Sequence, residues 1–396
     1  MGGRDQKKEI TNMKIIFNRS KIANAISPLM ATTARNAANP TTEGILIEAK
    51  KPNTVIFTTY DAQKGMRTTV EAQVEEEGFY VLNAQKFYQT LQVMDSENIT
   101  LTINEKMRAN IQSGRSNLSM NALEGEDFPF IPALKSEMGF YIEQGVLRKM
   151  LQKISYAMGV ADQRPVLNGC FVHVEDDSIT IVACDGSKLA TCKKKMNIRR
   201  GNEKDTYINY SFIIPVKSVA EINKLLSDDE EKITRVYLMR KHMVFEIGDI
   251  VFFSNLIYEG EYIGYEKLIM NTHKINVIVN KEEFMSALER AALITEEKIA
   301  ASVRALVKLN VNGEYIEISA ASVNGSSYDE VNIEHYGEDI VIAFNNRFLM
   351  DSIRSCDTEM IKISLSSPHM SINIEPVGEK DDVMELYLLQ PIRMRE

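Results

Sequence analysis

The sequence predicts an α+β protein made of three tandem copies of one domain, each with two helices and several short strands. An internal repeat is the first observation behind this prediction, because the strand that runs into a helix around Asn83 recurs around Pro215 and Phe344. These equivalent positions lie 132 and 129 residues apart. A unit of this length can hold a core of its own, so the repeat predicts domains in series and not a solenoid.

Each copy continues in the same order, which is the second observation. A stretch with helical periodicity follows the repeated strand, and two runs of alternating apolar residues come after it. The runs are 99–103 and 109–120, then 233–238 and 243–256, then 361–365 and 370–374. Alternation with a period of two is typical of strands with one buried face, so each copy is expected to carry short strands after its helix.

A second helix precedes the repeated strand in each copy. Its signature is a pair of apolar residues four positions apart on one face: Ile22 and Ile26, Leu147 and Leu151, Phe284 and Leu288. The six predicted helices cover 19–30, 83–94, 143–158, 215–227, 281–294 and 345–355. Together the patterns predict domains at 13–136, 137–271 and 272–396, after a disordered extension at 1–12 that lacks the apolar stretch of a signal peptide.

Composition excludes several classes of protein. The chain is 44% hydrophobic and 26% charged, and it has no apolar run near the roughly 20 residues that a membrane helix needs. The four cysteines form no CxxC pair, which favours reduced thiols in the cytoplasm. The five histidines are scattered, so the sequence predicts neither a metal site nor a cofactor.

Charge is distributed unevenly along the chain. The net charge is −9, yet the six predicted helices together carry +6 and leave −15 for the rest. Helices that shared one surface would make that surface positive, which suits a polyanion held on one face. Lys and Arg that collect on solvated helix faces would give the same counts, so charge alone leaves both interpretations open.

Several ordered motifs carry a family resemblance. The middle third has the strings 156–158, 162–169 and 182–190, and the last contains the turn Asp185-Gly186. Further motifs stand at 113–116 with 126–129, at 289–294 before Glu297-Lys298, and at 386–393. Over 13–393 the chain resembles the bacterial DNA polymerase III beta subunit, the sliding clamp. The resemblance implies three copies of the DNA-clamp (processivity) fold with antiparallel sheets.

The resemblance also implies an assembly and a function. Clamps of this kind are head-to-tail homodimers that close a ring around double-stranded DNA without sequence specificity, with helices lining the hole. The expected partners are the polymerase III alpha subunit, the clamp loader and other clamp-motif proteins. Such a chain confers processivity and is not itself an enzyme.

Three sets of site residues carry over by position. The peptide-binding pocket is expected at Leu167, Cys184, Gly186, Ser187, Lys188, Leu189, Leu268, Ile299, Asn345, Phe348, Leu388, Leu389, Gln390, Pro391 and Arg393. The DNA-facing residues are expected at Arg35, Lys86, Arg148, Lys149, Lys153, Gln163, Arg164, Lys217, Lys224 and Arg347. The dimer interface is expected at Leu118, Met120, Leu293 and Ile294, where Leu118 and Met120 share a strand face.

Departures from the family pattern concern the motif preference of the pocket. The family often has His-Arg where Ser187 and Lys188 stand, Pro at Ile263 and Met at Gln390. Two other functions stay open: a β-rich peptide-binding adaptor that does not encircle DNA, and a hydrolase that uses Asp185. Asp61 and Asp185 occupy equivalent strand-end turns, which indicates an architectural role for Asp185.

Overall fold

The computed structural model describes residues 13–35, 39–202, 207–269, 272–295, 306–323, 325–378 and 382–394. The helices are α1 Arg19–Ile26, α2 Ala84–Val93, α3 Gln144–Ile154, α4 Val216–Leu225, α5 Lys281–Thr295 and α6 Asn346–Arg354. They pack in pairs, α1 on α2, α3 on α4 and α5 on α6, so each sequence repeat holds two helices as predicted. None of the helices among the described residues combines the length and the apolar character that crossing a bilayer requires.

The strands also follow the repeats. The first repeat holds β1 Met13–Asn18, β2 Gly44–Lys50, β3 Thr54–Tyr60, β4 Lys64–Glu71, β5 Gln73–Glu76, β6 Gly78–Asn83, β7 Asn98–Ile103, β8 Arg108–Ser113 and β9 Ser116–Glu124. The second holds β10 Gly139–Glu143, β11 Gly169–Glu175, β12 Ser178–Cys184, β13 Lys188–Lys195, β14 Arg199–Arg200, β15 Asn209–Pro215, β16 Ile233–Leu238, β17 His242–Ile247 and β18 Ile250–Asn255. The third holds β19 Ile275–Asn280, β20 Leu306–Asn312, β21 Tyr315–Ala321, β22 Ser326–Tyr336, β23 Ile340–Asn345, β24 Met360–Leu365, β25 Ile372–Pro376 and β26 Val383–Leu389.

Helix starts follow simple capping chemistry. Asn83 accepts a hydrogen bond from the backbone N–H of Lys86 at 3.0 Å, and Asn345 does the same for Phe348 at 3.2 Å. Pro215 occupies the equivalent position in the middle repeat and makes no side-chain cap. The equivalent of Asn83 in the last repeat is therefore Asn345, one residue after the Phe344 that the sequence comparison aligned with it, and the repeated segment is a capped helix start in two copies.

One predicted helix is shorter than expected, and two predicted runs each hold two strands. The helix predicted at 19–30 ends at Ile26 and is followed by a 3-10 turn at Pro28–Thr32, because Pro28 has no backbone N–H to continue the α-helix. The runs 109–120 and 243–256 each cover two antiparallel strands of a hairpin. Gly114 and Gly248 turn these hairpins with φ near +57°, and the turns are too short to interrupt the apolar alternation.

The chain forms two compact units that do not coincide with the repeats. The first unit comprises the described residues up to Ile142 together with Lys232–Asn255. Its strands follow the order β10-β16-β17-β18-β4-β3-β2-β6-β9-β8-β7-β1-β5. Strands β16–β18 of the middle repeat belong to this unit because β18 pairs antiparallel with β4, from Ile250 opposite Thr68 to Ser254 opposite Lys64.

The second unit comprises Glu143–Glu231 and the described residues from Leu256 onward. Its 12-stranded sheet has the order β15-β11-β12-β13-β26-β25-β24-β19-β22-β21-β20-β23. The pairing of β13 with β26 joins the middle and last repeats as β4 and β18 join the first and middle repeats. A strand ladder is thus the common junction between successive repeats.

Candidate functional site

An apolar cluster in the second unit brings together four of the residues that the sequence predicted for a pocket. Its buried members are Leu167, Val182, Cys184, Leu189 and Leu388, each at most 4% exposed. The partly buried side chains packed against it are Val166, Phe171, Tyr262, Ile263, Tyr265 and Leu386. The cluster therefore has a buried floor and an apolar wall that reaches solvent.

The junction between β13 and β26 positions the floor. Leu189 lies opposite Leu388, and Lys188 lies opposite Leu389, in a continuous antiparallel ladder. Side chains directly opposite on neighbouring strands have Cβ atoms about 5 Å apart, so Leu189 and Leu388 pack on the same face of the sheet. Burial of each leucine side chain contributes about 1.5–3 kcal/mol.

The turn before β13 is held by Asp185. Its Oδ1 accepts the backbone N–H groups of Ser187 at 2.8 Å and Lys188 at 3.0 Å, and its carboxylate also pairs with the Lys188 ammonium. Asp61 accepts the N–H groups of Gln63 at 2.9 Å and Lys64 at 2.8 Å in the equivalent turn of the first repeat. Asp185 therefore serves the turn, as expected from the sequence.

Two further features concern the surroundings of this turn: the space beside Gly186 and the contact of Lys188 with α6. Gly186 has φ +91°, and a Cβ atom there would lie 2.9 Å from Nη2 of Arg164. The Nζ of Lys188 lies 4.0 Å from the centroid of the Phe348 ring, at the start of α6. Lys188 is only 6% exposed, so its charge is used within the protein and is not presented to solvent.

The segment after β26 is anchored through its backbone. The N–H of Gln390 donates to the carbonyl of Ser187 at 2.9 Å, and the N–H of Ile392 donates to the carbonyl of Ala343 at 2.7 Å. Gln390 and Arg393 are exposed, and Pro391 is partly buried. The predicted C-terminal residues thus reach the cluster and leave two polar side chains available to a ligand.

One predicted pocket residue, Leu268, is not a member of the cluster. Leu268 is 46% exposed and follows the 3-10 turn Tyr265–Lys267, whose first residue packs on the cluster. Ile299 lies outside the described residues. The pocket wall around Leu268 is therefore open to solvent.

Aromatic residues at this site were missed by the sequence reasoning. Phe171 stacks on Tyr262 with ring centroids 5.1 Å apart and an interplanar angle of 13°. The hydroxyl of Tyr262 donates to the carbonyl of Val182 at 3.4 Å, which ties the aromatic wall to the floor. The signal in the sequence is the spacing of Tyr258, Tyr262 and Tyr265 in a segment that also holds Gly260 and Gly264.

The thiols of the chain are unreactive in this fold. Cys170, Cys184, Cys192 and Cys356 are all free and buried. Burial raises the pKa of the Cys170 thiol to about 12 and also raises the pKa of Cys184. Such thiols stay protonated near neutral pH and are poor nucleophiles. Among the described residues no group of His, Cys, Asp and Glu is arranged to hold a metal ion.

Nine of the ten predicted DNA-facing residues fall into two groups. Five are exposed and form no ion pair with the residues that the structure describes: Arg35, Lys86, Gln163, Lys217 and Arg347. Four are exposed or partly exposed and pair with a carboxylate: Arg148 with Asp228 at 2.6 Å, Lys149 with Glu230 at 2.8 Å, Lys224 with Glu221 at 3.2 Å, and Arg164 with Asp162 at 3.0 Å. Exposed ion pairs of this kind contribute little and can exchange one anion for another.

Lys153 departs from the expectation of a DNA-facing residue. Its side chain is 12% exposed and its Nζ contacts Glu385 at 2.5 Å and Asp357 at 2.8 Å. Burial alone lowers the pKa of Lys153, but its hydrogen bonds to Asp357 and Glu385 outweigh burial and the pKa is raised. The ammonium is committed to two protein carboxylates, so Lys153 is a structural residue of the second unit.

The predicted interface residues lie on two separate surfaces. On β9, Leu118 is 37% exposed and Met120 is partly buried, and both border a cavity of about 550 Å³ against α2. Near the end of α5, Leu293 is 76% exposed and Ile294 is partly buried. Arg290 of α5 pairs with Asp329 of β22 at 2.7 Å, which fixes this helix end beside the strand.

The fold and the two surfaces define a class of protein, a three-domain clamp with an apolar pocket. Three family models, one for each domain of the DNA polymerase III beta subunit, match this chain. The N-terminal-domain model matches residues 13–132, the central-domain model matches 141–263 and the C-terminal-domain model matches 266–390. The chain belongs to the DNA polymerase III beta subunit family. It is a sliding clamp, a non-catalytic processivity subunit of that polymerase.

Individual relatives cover nearly the whole chain. The beta sliding clamp of Staphylococcus epidermidis is 26% identical over 391 residues, which span 96% of this chain and 99% of that protein. The beta sliding clamp of Staphylococcus aureus is 25% identical over the same length. The crystal structure of the DNA polymerase sliding clamp from Bacillus subtilis superposes with a TM-score of 0.89 at 22% identity, covering 97% of this chain and all of that one.

Proposed function

We propose that this sliding clamp works in the cytoplasm as a head-to-tail homodimeric ring around double-stranded DNA, which it holds without sequence specificity. The ring tethers the polymerase III alpha subunit, the clamp loader and other clamp-motif proteins through the apolar pocket. The single observation that carries this proposal is a pair of open strand edges, one in the first repeat and one in the last.

The open edges follow from the junctions between repeats. Strand β4 pairs with β18 of the next repeat, and β13 pairs with β26 of the repeat after it. In this pattern a strand of one repeat pairs with a strand of the next repeat. Within the described residues, β22 of the last repeat and β9 of the first have no such pairing with another repeat. Because the two edges differ, joining them between copies gives a heterologous, head-to-tail contact that can close a ring.

Among the described residues, the register leaves part of one edge unpaired in each of the two strands. In β9 the segment 116–121 pairs with β8 only, while 122–124 pairs with β6. In β22 the segment 326–332 pairs with β21 only, while 333–336 pairs with β19. An exposed strand edge is a template for another chain, so a monomer with two such edges is expected to self-associate.

Apolar side chains lie beside both of these edges. The cavity between α2 and β9 has apolar borders in Val93, Leu118 and Met120. Leu293 is a prominent exposed leucine beside the other edge. We propose that Leu293 and Ile294 of one copy pack against Leu118 and Met120 of the other, next to the β9–β22 ladder.

The exposed cations of the helices provide the DNA-facing surface in this proposal. Lys86 on α2, Lys217 on α4 and Arg347 on α6 are exposed, and Arg35 and Gln163 lie in exposed loops. Lys and Arg contact phosphates whatever the base sequence. A closed ring keeps DNA by topology, so few contacts of this kind suffice.

The apolar pocket is the docking site for partner segments. A peptide with two apolar anchors would gain about 3–6 kcal/mol from their burial before the costs of association. Loss of translational and rotational freedom offsets much of that gain, so a single peptide should bind weakly and exchange readily. Extended peptides captured beside an open groove are a common mode of recognition.

The three repeats are proposed as the functional domains, with bounds 13–136, 137–271 and 272–396. The family models for the first two domains match ranges inside these bounds, at 13–132 and 141–263. The model for the third begins at 266, within the segment that leads out of the middle repeat.

Retention on circular DNA tests the ring. The protein is loaded on a nicked circular plasmid with a clamp loader and ATP, separated by gel filtration, and then treated with a restriction enzyme that cuts the plasmid once. We expect the protein to co-elute with the circle and to be lost after linearisation. A peptide-binding adaptor that does not encircle DNA would elute identically before and after the cut, and that result would overturn the proposal.

A further inference from the structure

A second cavity of about 420 Å³ adjoins the apolar pocket in the second unit. It lies between strands β11 and β15 and the segment 256–268. The lining residues that matter for its chemistry are Phe171, Ser211, Glu261, Tyr262, Tyr265 and Glu266. None of the domain, interface or DNA-facing assignments above uses this cavity.

Aromatic rings form one wall of the cavity. Phe171 stacks on Tyr262, and Tyr265 tilts against Phe171 at 51° with centroids 6.3 Å apart. The three side chains are partly buried, so part of each ring is covered and part faces open space. The faces of aromatic rings carry negative charge density, which attracts cations.

Carboxylates form the rim of the same cavity. Glu261 and Glu266 are exposed at its mouth, and the lining residues that the structure describes include no Lys or Arg. Burial, followed by the charges of Glu266 and Glu175, raises the pKa of Tyr265 to about 12. The potential in the cavity is therefore negative, and the Tyr265 phenol stays neutral.

The cavity shares a wall with the proposed pocket. Phe171, Tyr262 and Tyr265 line the cavity and also pack against the cluster of Leu167, Leu189 and their neighbours. An extended peptide advances about 3.3 Å per residue, so a residue a few positions from an apolar anchor can reach the cavity.

We infer that this aromatic, acid-rimmed cavity binds the side chain of an arginine or lysine that flanks the apolar anchors of a docked peptide. The inference rests on the proposed peptide pocket and names the chemistry that would extend its specificity. Arginine and lysine fit because their aliphatic stems can lie on the tyrosine rings while the charged end meets the carboxylates.

An apolar or acidic side chain fits the same space less well. A third apolar anchor would gain no attraction from the two carboxylates of the rim and would bury little apolar surface against Ser211. An acidic residue would meet a carboxylate rim and pay like-charge repulsion. The cavity therefore distinguishes partners by the charge beside their anchors.

Fluorescence anisotropy with a peptide series tests the inference on the full-length protein. The probes are labelled ten-residue peptides with adjacent Leu and Phe anchors in a Ser/Gly background, carrying Arg, Gln or Glu at positions two to four residues from either anchor. We expect the best Arg peptide to bind at least about 5-fold more tightly than its Gln counterpart, and the Glu peptide more weakly.

Variants of the cavity identify the source of this gain. In E261Q/E266Q the ratio of Gln-peptide to Arg-peptide Kd should fall below about 2, while the Gln-peptide Kd stays within about 2-fold of wild type. The matched control is E314Q/E338Q, which removes the same two charges at exposed turns away from the cavity. That control should keep the full ratio.

Three results would overturn the inference and each has a different meaning. Equal affinity of Arg and Gln peptides, with binding that still requires the anchors, would remove the cation site and leave the peptide pocket intact. Binding that is indifferent to replacing both anchors by Ser would remove the peptide pocket and this inference together. An Arg gain that survives in E261Q/E266Q but is lost in E314Q/E338Q would place the cation elsewhere and likewise overturn the assignment.

Discussion

Lys153 shows how burial changes the role of a charged side chain. It lies on α3 with Lys149, but Lys149 is exposed and Lys153 is enclosed with Glu385, whose side chain is 2% exposed. The hydroxyl of Tyr387 donates to the same carboxylate at 2.7 Å. A buried carboxylate of this kind depends on its cation far more than an exposed one does.

Replacing Lys153 by methionine should therefore lower the free energy of unfolding by about 3–5 kcal/mol, because it leaves Glu385 charged and unpaired. The control variant K149M breaks an exposed pair on the same helix and should cost less than about 1 kcal/mol. Urea denaturation measures both. Equal losses in the two variants would contradict the buried role.

The same pair predicts a pH dependence. The pKa of Lys153 is raised above its ordinary value of 10.5, so the folded state binds its proton more tightly than the unfolded state does. The contribution of this proton binding to the free energy of unfolding is complete below pH 10.5 and is lost as pH rises through the folded-state pKa. The stability difference between wild type and K153M should thus be constant from about pH 7 to 9 and shrink above about pH 10.5.

Some residue roles were predictable from sequence and others were not. The turn formed by Asp185 and Gly186 was predictable, because the acceptor side chain and the positive φ are both local properties of the sequence. The burial of Lys153 was not, because its partner Glu385 lies more than 200 residues away in the chain. Tyr262 was missed because it sits in a segment without regular structure, where periodicity gives no signal.

At the scale of elements, the free edge of β9 carries the proposed dimer contact. Leu118→Lys places a charge on that edge and should weaken dimerisation by at least about 100-fold, because truncating a central apolar contact while adding a buried charge disrupts an interface severely. Sedimentation equilibrium at micromolar concentration measures the dissociation constant.

Leu123→Lys is the matched control for this prediction. Leu123 is 39% exposed on the same strand, close to the 37% of Leu118, but it pairs with Val81 of β6 and points to the opposite face. The control should remain dimeric. Dissociation of both variants would indicate a general defect of the strand instead of a specific interface.

The pocket wall offers a second test at this scale. Leu388 and Leu389 are too deeply buried, at 4% and 0% exposed, to be replaced by aspartate without risk to the fold. Leu268 is 46% exposed, so Leu268→Asp should keep the fold and the dimer while weakening anchor-peptide binding by roughly 10-fold.

Met370→Asp serves as the control, since Met370 is a 38% exposed apolar residue in a turn of the same unit. Fluorescence anisotropy with the Leu-Phe peptide compares the two variants. Unchanged affinity in Leu268→Asp would exclude that residue from the pocket.

Helices and repeated strands were predictable because their periodicity is local, while the pairing of strands was not. The run 109–120 reads as one alternating stretch, yet it folds into the hairpin of β8 and β9 around Gly114. Likewise, the partnership of β18 with β4 joins segments almost 200 residues apart and leaves no mark in either segment alone.

For the whole molecule, topological retention predicts an unusual response to salt. A protein held by six to ten phosphate contacts loses about 10³–10⁵ in affinity between 50 and 200 mM salt. The loaded ring should instead dissociate from a nicked circle with a half-life that changes less than about 3-fold over that range, since its release requires a junction to open.

Gel filtration of plasmid-bound protein at increasing times measures this half-life. Linear DNA of the same length is the control, and the protein should leave its ends quickly at every salt concentration. A half-life on circles that falls as steeply as phosphate contacts predict would mean that charge, and not closure, holds the protein on DNA.

The three-repeat plan was predictable from the sequence, and family models match all three repeats. What could not be predicted is that compact units cut across repeats. Strands β16–β18 lie in the first unit although most of the middle repeat lies in the second. The cause is the strand ladder between β4 and β18, a non-local contact.

This ladder has a consequence for synthesis on the ribosome. Domains generally fold as units during translation, with the N-terminal one first. Here the first unit needs Lys232–Asn255 to cover the edge of β4. The nascent chain is therefore expected to carry an unpaired β4 edge until Asn255 has emerged. The first compact unit can then be completed only after well over half of the polypeptide has been made.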